Sequence, residues 1–220
     1  MSGDKLSALQ WRILEVLAGV EPPWTLTGGA ALAGVHLKHR TTKDLDLFWH
    51  GRNQLGPLPV AIRDRLTAAN LEVDVLQSSD TFFQLRVRSE EAVCVVDLVA
   101  ESVAPIEAPV QVRVRDLSIA VDTPQEILVN KLCALLGRAE IRDLVDVRSL
   151  LRAGADLTKA LGDAPRKDAG FSPLTLAWVL RDIRPTSLAA VTDLSEAEAK
   201  ELETFKDQLI SSLLEVSAPQ

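Results

Sequence analysis

The stretch from Thr27 to Phe48, TGGAALAGVHLKHRTTKDLDLF, constrains the fold more than any other part of the chain. Its pattern predicts a strand that ends in a glycine pair, then a helix of about ten residues and a basic turn. A second strand follows and carries two aspartates. The stretch therefore predicts a strand–helix–strand unit of a β-sheet.

Gly28 and Gly29 stand where the first predicted strand meets the helix. Because glycine has no Cβ, backbone N–H groups at these positions can approach a ligand closely. The N-terminus of the helix adds free N–H groups and a partial positive charge, both of which favour anions. The glycine pair therefore predicts a cradle for phosphate groups.

Asp44 and Asp46 lie two residues apart on the second strand, so their side chains share one face of the sheet. Their Cα atoms are expected to be roughly 7 Å apart, which is twice the rise of a strand. Carboxylates at this spacing can converge on a hard cation such as Mg²⁺. Together with the phosphate cradle, the pair indicates metal-assisted phosphate chemistry.

A third carboxylate is expected from a later group of strands. Three segments with strand patterns follow: 71–76, 82–88 and 92–99. The last is the most apolar, which favours a central strand covered on both faces. An ionised Asp97 in its middle is costly unless it is paired or binds a cation. We prefer Asp97 to Asp74 as the third metal ligand, because Asp74 alternates with apolar residues as a solvated face would; a buried ion pair is the alternative for Asp97.

Lys131 falls on the apolar stripe of the helix that Thr123 and Pro124 announce. Lysine rarely occupies such a position without a partner. Its long stem could carry the ammonium group outward to solvent. Alternatively, the ammonium group could reach an anion bound near the carboxylates, and the sequence leaves both interpretations open.

The next predicted helix carries Arg142 and Asp146, four residues apart, after Arg138. This spacing allows ion pairs along one helix face, and a solvated ladder is the simpler interpretation. Ser195 and Glu198 form the capping-box pattern that opens a final helix. The sheet-forming part thus ends near residue 121, which predicts an α+β fold: a core domain at 1–121 and a helical C-terminal region at 122–220 packed on it.

Composition is that of an ordinary folded protein, with 47% apolar and 25% charged residues. No apolar run reaches the length of about 20 residues that a membrane helix needs. The N-terminal pattern is not that of a signal peptide, and Cys94 and Cys133 lack paired spacing, so we expect a cytoplasmic protein. The net charge of −7 disfavours indiscriminate binding to nucleic acids, but Arg40 and Lys43 make the predicted site locally basic.

The glycine and aspartate block resembles a known superfamily. Gly28-Gly29, fourteen residues and then Asp44-Leu45-Asp46 between apolar neighbours are similar to the signature of nucleotidyltransferases. The wider wording GGAAL…HRTTKDLDLF resembles the AbiEii-like nucleotidyltransferase toxins of type IV toxin–antitoxin systems. The likeness covers roughly residues 24–152, and it implies a nucleotidyltransferase-like mixed β-sheet flanked by helices.

The resemblance also implies roles for particular residues. The first block matches the family at Gly28, Gly29, Arg40, Thr42, Asp44 and Asp46. A lysine helix followed by an arginine and an R-D-L-x-D segment is matched by Lys131, Arg138, Arg142, Asp143 and Asp146. These matches imply an NTP-using, Mg²⁺-dependent transferase whose acceptor is the 3′ end of tRNA. A cognate antitoxin is an expected partner.

The expected reaction moves a nucleoside monophosphate from an NTP to an acceptor hydroxyl and releases pyrophosphate. Asp44 and Asp46 would hold two Mg²⁺ ions, and Asp97 would complete the site and accept the proton of the acceptor. Lys43 and Lys131 would neutralise charge on the departing pyrophosphate. Two other functions stay open: a transferase for a small-molecule hydroxyl, as in antibiotic modification, and a nucleotide-binding protein without turnover. A plain structural module would not need these charges in apolar surroundings.

Overall fold

The computed structural model describes residues 5–188 and 194–218. This part of the chain has the expected α+β fold, with a mixed β-sheet followed by a helical C-terminal region. The strands are β1 Thr25–Thr27, β2 Asp44–His50, β3 Glu72–Ser78, β4 Phe82–Arg88, β5 Val93–Glu101, β6 Val110–Val114 and β7 Leu117–Val121. The helices are α1 Ala8–Leu17, α2 Gly28–Ala31, α3 Leu58–Ala68, α4 Pro124–Arg138, α5 Ile141–Arg152, α6 Leu157–Lys167, α7 Pro173–Asp182, α8 Pro185–Leu188 and α9 Glu196–Val216.

The seven strands form one sheet in the order β3-β4-β5-β2-β1-β7-β6. β2 is parallel to β5 and β1 is parallel to β7, whereas the other neighbouring pairs are antiparallel. β2 and β5 are therefore central neighbours, although α3, β3 and β4 separate them in the chain.

Burial alternates along both central strands, as the period of two requires. Leu45, Leu47, Val96 and Leu98 are fully buried on one face. The residues between them, which include the aspartates, are half-buried on the other face. The packing of the apolar face therefore decides which side chains remain on the face that carries the candidate site.

The chain divides into two compact units between Pro124 and Gln125. The first unit holds the sheet with α1, α2 and α3, and the second is helical. In the second unit α9 contacts α5, α7 and α8. The predicted capping box is present, since Ser195 accepts a hydrogen bond from the Glu198 amide and the Glu198 side chain accepts one from the Ser195 amide. No helix in the described ranges is long and apolar enough to cross a membrane.

Three elements differ from the sequence-based predictions. The helix after β1 begins at Gly28 itself and ends in a π-helical turn, Leu32–His36. This turn packs closely, because a Cβ on Gly34 would lie 2.6 Å from the Leu6 side chain. The short strand β7 was not predicted, and the 11-residue helix α6 lies in a segment, 154–173, for which the sequence favours a loop or a short helix. Pro165 lies inside α6, in its last turn, and proline in a helix is unfavourable because it removes a backbone hydrogen bond.

Candidate active site

The predicted carboxylates lie on neighbouring strands and share one face of the sheet. Asp46 of β2 is directly opposite Asp97 of β5 in the parallel register, and Asp44 is opposite Val95. All three carboxylates are half-buried. Asp74, the competing candidate, lies on the edge strand β3, where the guanidinium groups of Arg86 and Arg88 contact its carboxylate at 3.0 Å.

The pKa of the Cys94 thiol is affected by the negative charge of these carboxylates. Burial is the largest cause that raises the pKa of its thiol, and the charges of Asp44, Asp46 and Asp97 raise it further, to about 12. The three carboxylates therefore act together on one nearby group. At neutral pH the Cys94 thiol stays protonated and is a poor nucleophile.

Both glycines of the pair lie in close contact with neighbouring side chains. Gly28 has a φ of +62°, a left-handed conformation that favours glycine, and a Cβ at this position would collide with Oδ2 of Asp46. A Cβ on Gly29 would lie 2.9 Å from Nη2 of Arg40 and 3.3 Å from Oγ1 of Thr42. The glycine backbone thus lies directly against the Asp46 carboxylate and the Arg40 guanidinium group.

The segment before β2 holds the remaining candidates of the first unit. The Thr42 hydroxyl donates a hydrogen bond to Oδ1 of Asp44. Arg40 donates from Nη1 to the carbonyl of Thr41 at 3.0 Å. Lys43 is exposed, and its carbonyl accepts a hydrogen bond from the amide of Val95 at 3.3 Å. Arg40 and Thr42 thus lie beside Gly29, and Lys43 directly precedes β2.

Two glutamines that the sequence analysis missed hold the carboxylate segment in place. The Gln10 amide, which is buried, donates to the carbonyls of Thr42 and Asp44 at 3.3 and 3.2 Å. Gln84 donates from Nε2 to Oδ1 of Asp97 at 2.9 Å. The S-x-x-Q pattern of residues 7–10 does predict the cap of α1 that Gln10 completes. It gives no sign of the contact with β2.

His50 lies further along the same face of β2, and the sequence analysis missed it as well. Its Nδ1 is 2.8 Å from Glu101 Oε2, and its Nε2 is 3.0 Å from Asp122 Oδ1. Burial lowers the pKa of this imidazole, but the hydrogen bonds and charges of Asp122 and Glu101 outweigh burial and raise the pKa to about 9. At neutral pH the ring is therefore an imidazolium that joins β2, β5 and the end of β7.

This cluster predicts that stability declines between pH 6.5 and about 9. The pKa of His50 is higher in the folded than in the unfolded chain, so its contribution is complete below the unfolded value and is lost as pH rises through the folded value. Allowing for screening by solvent, we expect a loss of about 2 kcal/mol in the free energy of unfolding. Urea unfolding of the parent and of His50→Gln across this pH range measures the loss. The same dependence of the free energy of unfolding on pH in both proteins would contradict the prediction.

Lys131 and the acidic residues after it form a cluster within the second unit. Its Nζ lies 2.7 Å from Oδ1 of Asp143 and 2.9 Å from Oδ2 of Asp146. Burial lowers the pKa of Lys131, but the two carboxylates outweigh burial and raise it. Arg138 also contacts Asp143, at 2.8 Å from its Nε, and keeps the pKa of that carboxyl low against the effect of burial. Arg142 contacts Glu140 at 3.4 Å.

Comparison with known proteins gives the family. The model of the family described as nucleotidyl transferase AbiEii toxin, type IV toxin–antitoxin system, matches residues 12–215. The chain belongs to the AbiEii nucleotidyltransferase toxin family. It is accordingly a nucleotidyltransferase, and the family implies an NTP substrate and an antitoxin partner. No curated protein sequence matches the chain.

Two solved structures have a similar fold. A candidate nucleotidyltransferase from H. pylori is 22% identical, with a TM-score of 0.54 over 96% of each chain. JHP933 from Helicobacter pylori is also 22% identical, with a TM-score of 0.53 over 95% of this chain and 92% of its own. At this identity the likeness concerns the fold.

The donor chemistry of the first unit fits the divalent cation that a nucleotidyltransferase implies. Asp44, Asp46 and Asp97 share one face of the sheet and offer carboxylate oxygens, the ligands that hard cations prefer. Within residues 5–188 and 194–218, no group of three or more His, Cys, Asp or Glu side chains is already arranged as a metal site. The fit therefore rests on the shared face and on the donor type.

Proposed function

We propose that this AbiEii-family enzyme transfers a nucleoside monophosphate from an NTP to the 3′ end of tRNA and depends on Mg²⁺. The observation that carries the proposal is the register of the central strands. It sets Asp46 beside Asp97, while the backbone of Gly28 lies against the Asp46 carboxylate. A cation held by these carboxylates would therefore lie close to a phosphate group bound at the glycine backbone.

Each residue of the first unit has a defined part in this proposal. Asp44, Asp46 and Asp97 would hold Mg²⁺, which stabilises charge on the phosphoryl oxygens and on the leaving group when bound. Asp97 accepts the proton of the acceptor hydroxyl. The backbone of Gly28 and Gly29, with the Arg40 guanidinium group and the Thr42 hydroxyl beside it, binds the triphosphate. Lys43, which is exposed next to Asp44, neutralises charge on the departing pyrophosphate.

The second unit contributes nucleotide-binding residues in this proposal, on the family resemblance. They are Lys131, Arg138, Arg142, Asp143 and Asp146. The same residues also form ion pairs, which gives them a structural role. Nucleotide binding and stabilisation of the fold therefore need separate measurements.

The choice of tRNA as acceptor rests on the family resemblance and on the local charge. Lys38, Arg40 and Lys43 precede Asp44 without an intervening acid, so the segment next to the carboxylates attracts phosphate groups. A small hydroxyl compound is the alternative acceptor. A nucleotide-binding protein without turnover would leave every acceptor unchanged.

The test determines which phosphate of a labelled NTP is transferred, and to which acceptor. The protein is incubated with Mg²⁺ and each NTP in turn, labelled at the α- or the γ-phosphate, together with total tRNA or a panel of small hydroxyl compounds. We expect the α-label, but not the γ-label, to appear in tRNA, because the monophosphate is transferred and pyrophosphate leaves. Periodate-treated tRNA, which lacks the 3′ diol, is the matched control. Label in a small hydroxyl compound but not in tRNA would contradict tRNA as the acceptor. The absence of label from every product would contradict the proposed transfer reaction.

A further inference from the structure

Gln84 contacts a proposed catalytic carboxylate although neither the family resemblance nor the sequence pattern assigns it a role. It lies on β4, directly opposite Asp97 in the antiparallel register with β5. Its Nε2 donates to Oδ1 of Asp97 at 2.9 Å, and its side chain is half-buried. Directly opposite residues have Cβ atoms about 5 Å apart, so the backbone places these two side chains together.

The packing of the two strands fixes this juxtaposition. Leu85 and Val87 of β4 are buried on the apolar face, opposite Val96 and Cys94 of β5. A shift of one residue would move all of these side chains to the other face, which the apolar packing forbids. Gln84 is therefore held opposite Asp97.

The chemistry of an amide suits this position. A neutral amide donor holds one oxygen of a carboxylate without adding a positive charge that would compete with a cation. Arg86, two residues along the same face, illustrates the alternative, because its guanidinium group is committed to the Asp74 carboxylate. The Thr42 hydroxyl makes the corresponding neutral contact with Oδ1 of Asp44.

We infer that Gln84 is a positioning residue that fixes the orientation of the Asp97 carboxylate toward the cation and the acceptor hydroxyl. The inference rests on the proposed function, since it assumes that Asp97 holds the cation. Gln84 itself touches neither substrate nor metal and acts through Asp97. Removing such a partner of a metal ligand commonly costs 10–100-fold in metal affinity or activity.

The test measures binding of Mn²⁺ directly, by the electron paramagnetic resonance of the free ion with a non-hydrolysable NTP analogue present. Gln84→Met keeps the length of the side chain and removes the donor, whereas Gln84→Asn keeps the amide and shortens its reach. We expect both variants to bind Mn²⁺ about tenfold more weakly. The kcat of transfer should fall by a similar factor, while the KM for NTP stays within about twofold.

Gln77→Met is the matched control, because Gln77 faces Gln84 from β3 and lies one strand further from Asp97. It should bind Mn²⁺ as the parent does. Unchanged Mn²⁺ affinity and kcat in Gln84→Met and Gln84→Asn would overturn the inference. So would a lower melting temperature with unchanged transfer, since that outcome is purely structural. A parent protein that neither binds Mn²⁺ nor transfers label would instead overturn the proposed function, and the inference with it.

Discussion

Asp46→Asn is expected to lower the kcat of nucleotidyl transfer by at least about a thousandfold, equivalent to about 4 kcal/mol of transition-state stabilisation. The Asp46 carboxylate lies between Gly28 and Asp97, so it is the group most directly placed to hold a cation against a phosphate. The amide of asparagine keeps the shape of the side chain but removes the negative charge. The fold should remain intact, because the apolar packing lies on the opposite face of β2.

Turnover is measured with α-labelled NTP under the conditions that give product with the parent, and folding is measured by thermal unfolding. Asp97→Asn should show a loss of similar size, because the two carboxylates are opposite each other. Asp74→Asn is the matched control. Asp74 is bound to Arg86 and Arg88 on the edge of the sheet, and its variant should stay within about threefold of the parent. Normal turnover in Asp46→Asn would show that the carboxylates do not hold the catalytic ion.

The sequence predicted the side chains of this site better than it predicted their neighbours. The period of two placed Asp44 and Asp46 on one face, and the apolar run around Asp97 pointed to a central strand. The parallel register that brings Asp97 opposite Asp46 is a tertiary property. No local pattern specifies which residue of β5 is opposite which residue of β2, so the pairing of Asp46 with Asp97 follows only from the register of the folded sheet.

The residues that were missed have partners far away in the chain. Gln10 contacts the backbone of residues 42 and 44, and His50 contacts Glu101 and Asp122. A polar residue in a strand or near a helix start has many ordinary explanations, and only the folded chain shows its partner. Helical spacing likewise allowed a pair between Arg142 and Asp146. The structure also places Lys131 against Asp146, a contact between two helices that spacing within one helix does not reveal.

Lys131→Met is expected to lower the free energy of unfolding by about 3–5 kcal/mol. The side chains of Asp143 and Asp146 are fully buried, and Lys131 contacts both. Methionine fills the space of the lysine stem but carries no charge. Asp146 therefore loses its contact with the Lys131 ammonium group, whereas Asp143 keeps its contact with Arg138. A buried carboxylate that loses its cation is costly, whereas the intact cluster need not be more stable than an apolar one. Urea unfolding of the parent and the variant at the same pH measures the loss.

Lys159→Met is the matched control, because Lys159 forms an exposed pair with Asp163 at 3.3 Å on α6 and should cost at most about 0.5 kcal/mol. The double variant Lys131→Met/Asp146→Leu should recover at least about 1 kcal/mol, since it also removes the buried carboxylate that has lost its contact with Lys131. A loss below about 1 kcal/mol in Lys131→Met would contradict the structural role. Transfer assayed at a temperature where the variant is folded then decides the catalytic role. A neutralising contact with pyrophosphate predicts a further fall in kcat of about a hundredfold, and a kcat near that of the parent would leave Lys131 as a residue of the fold alone.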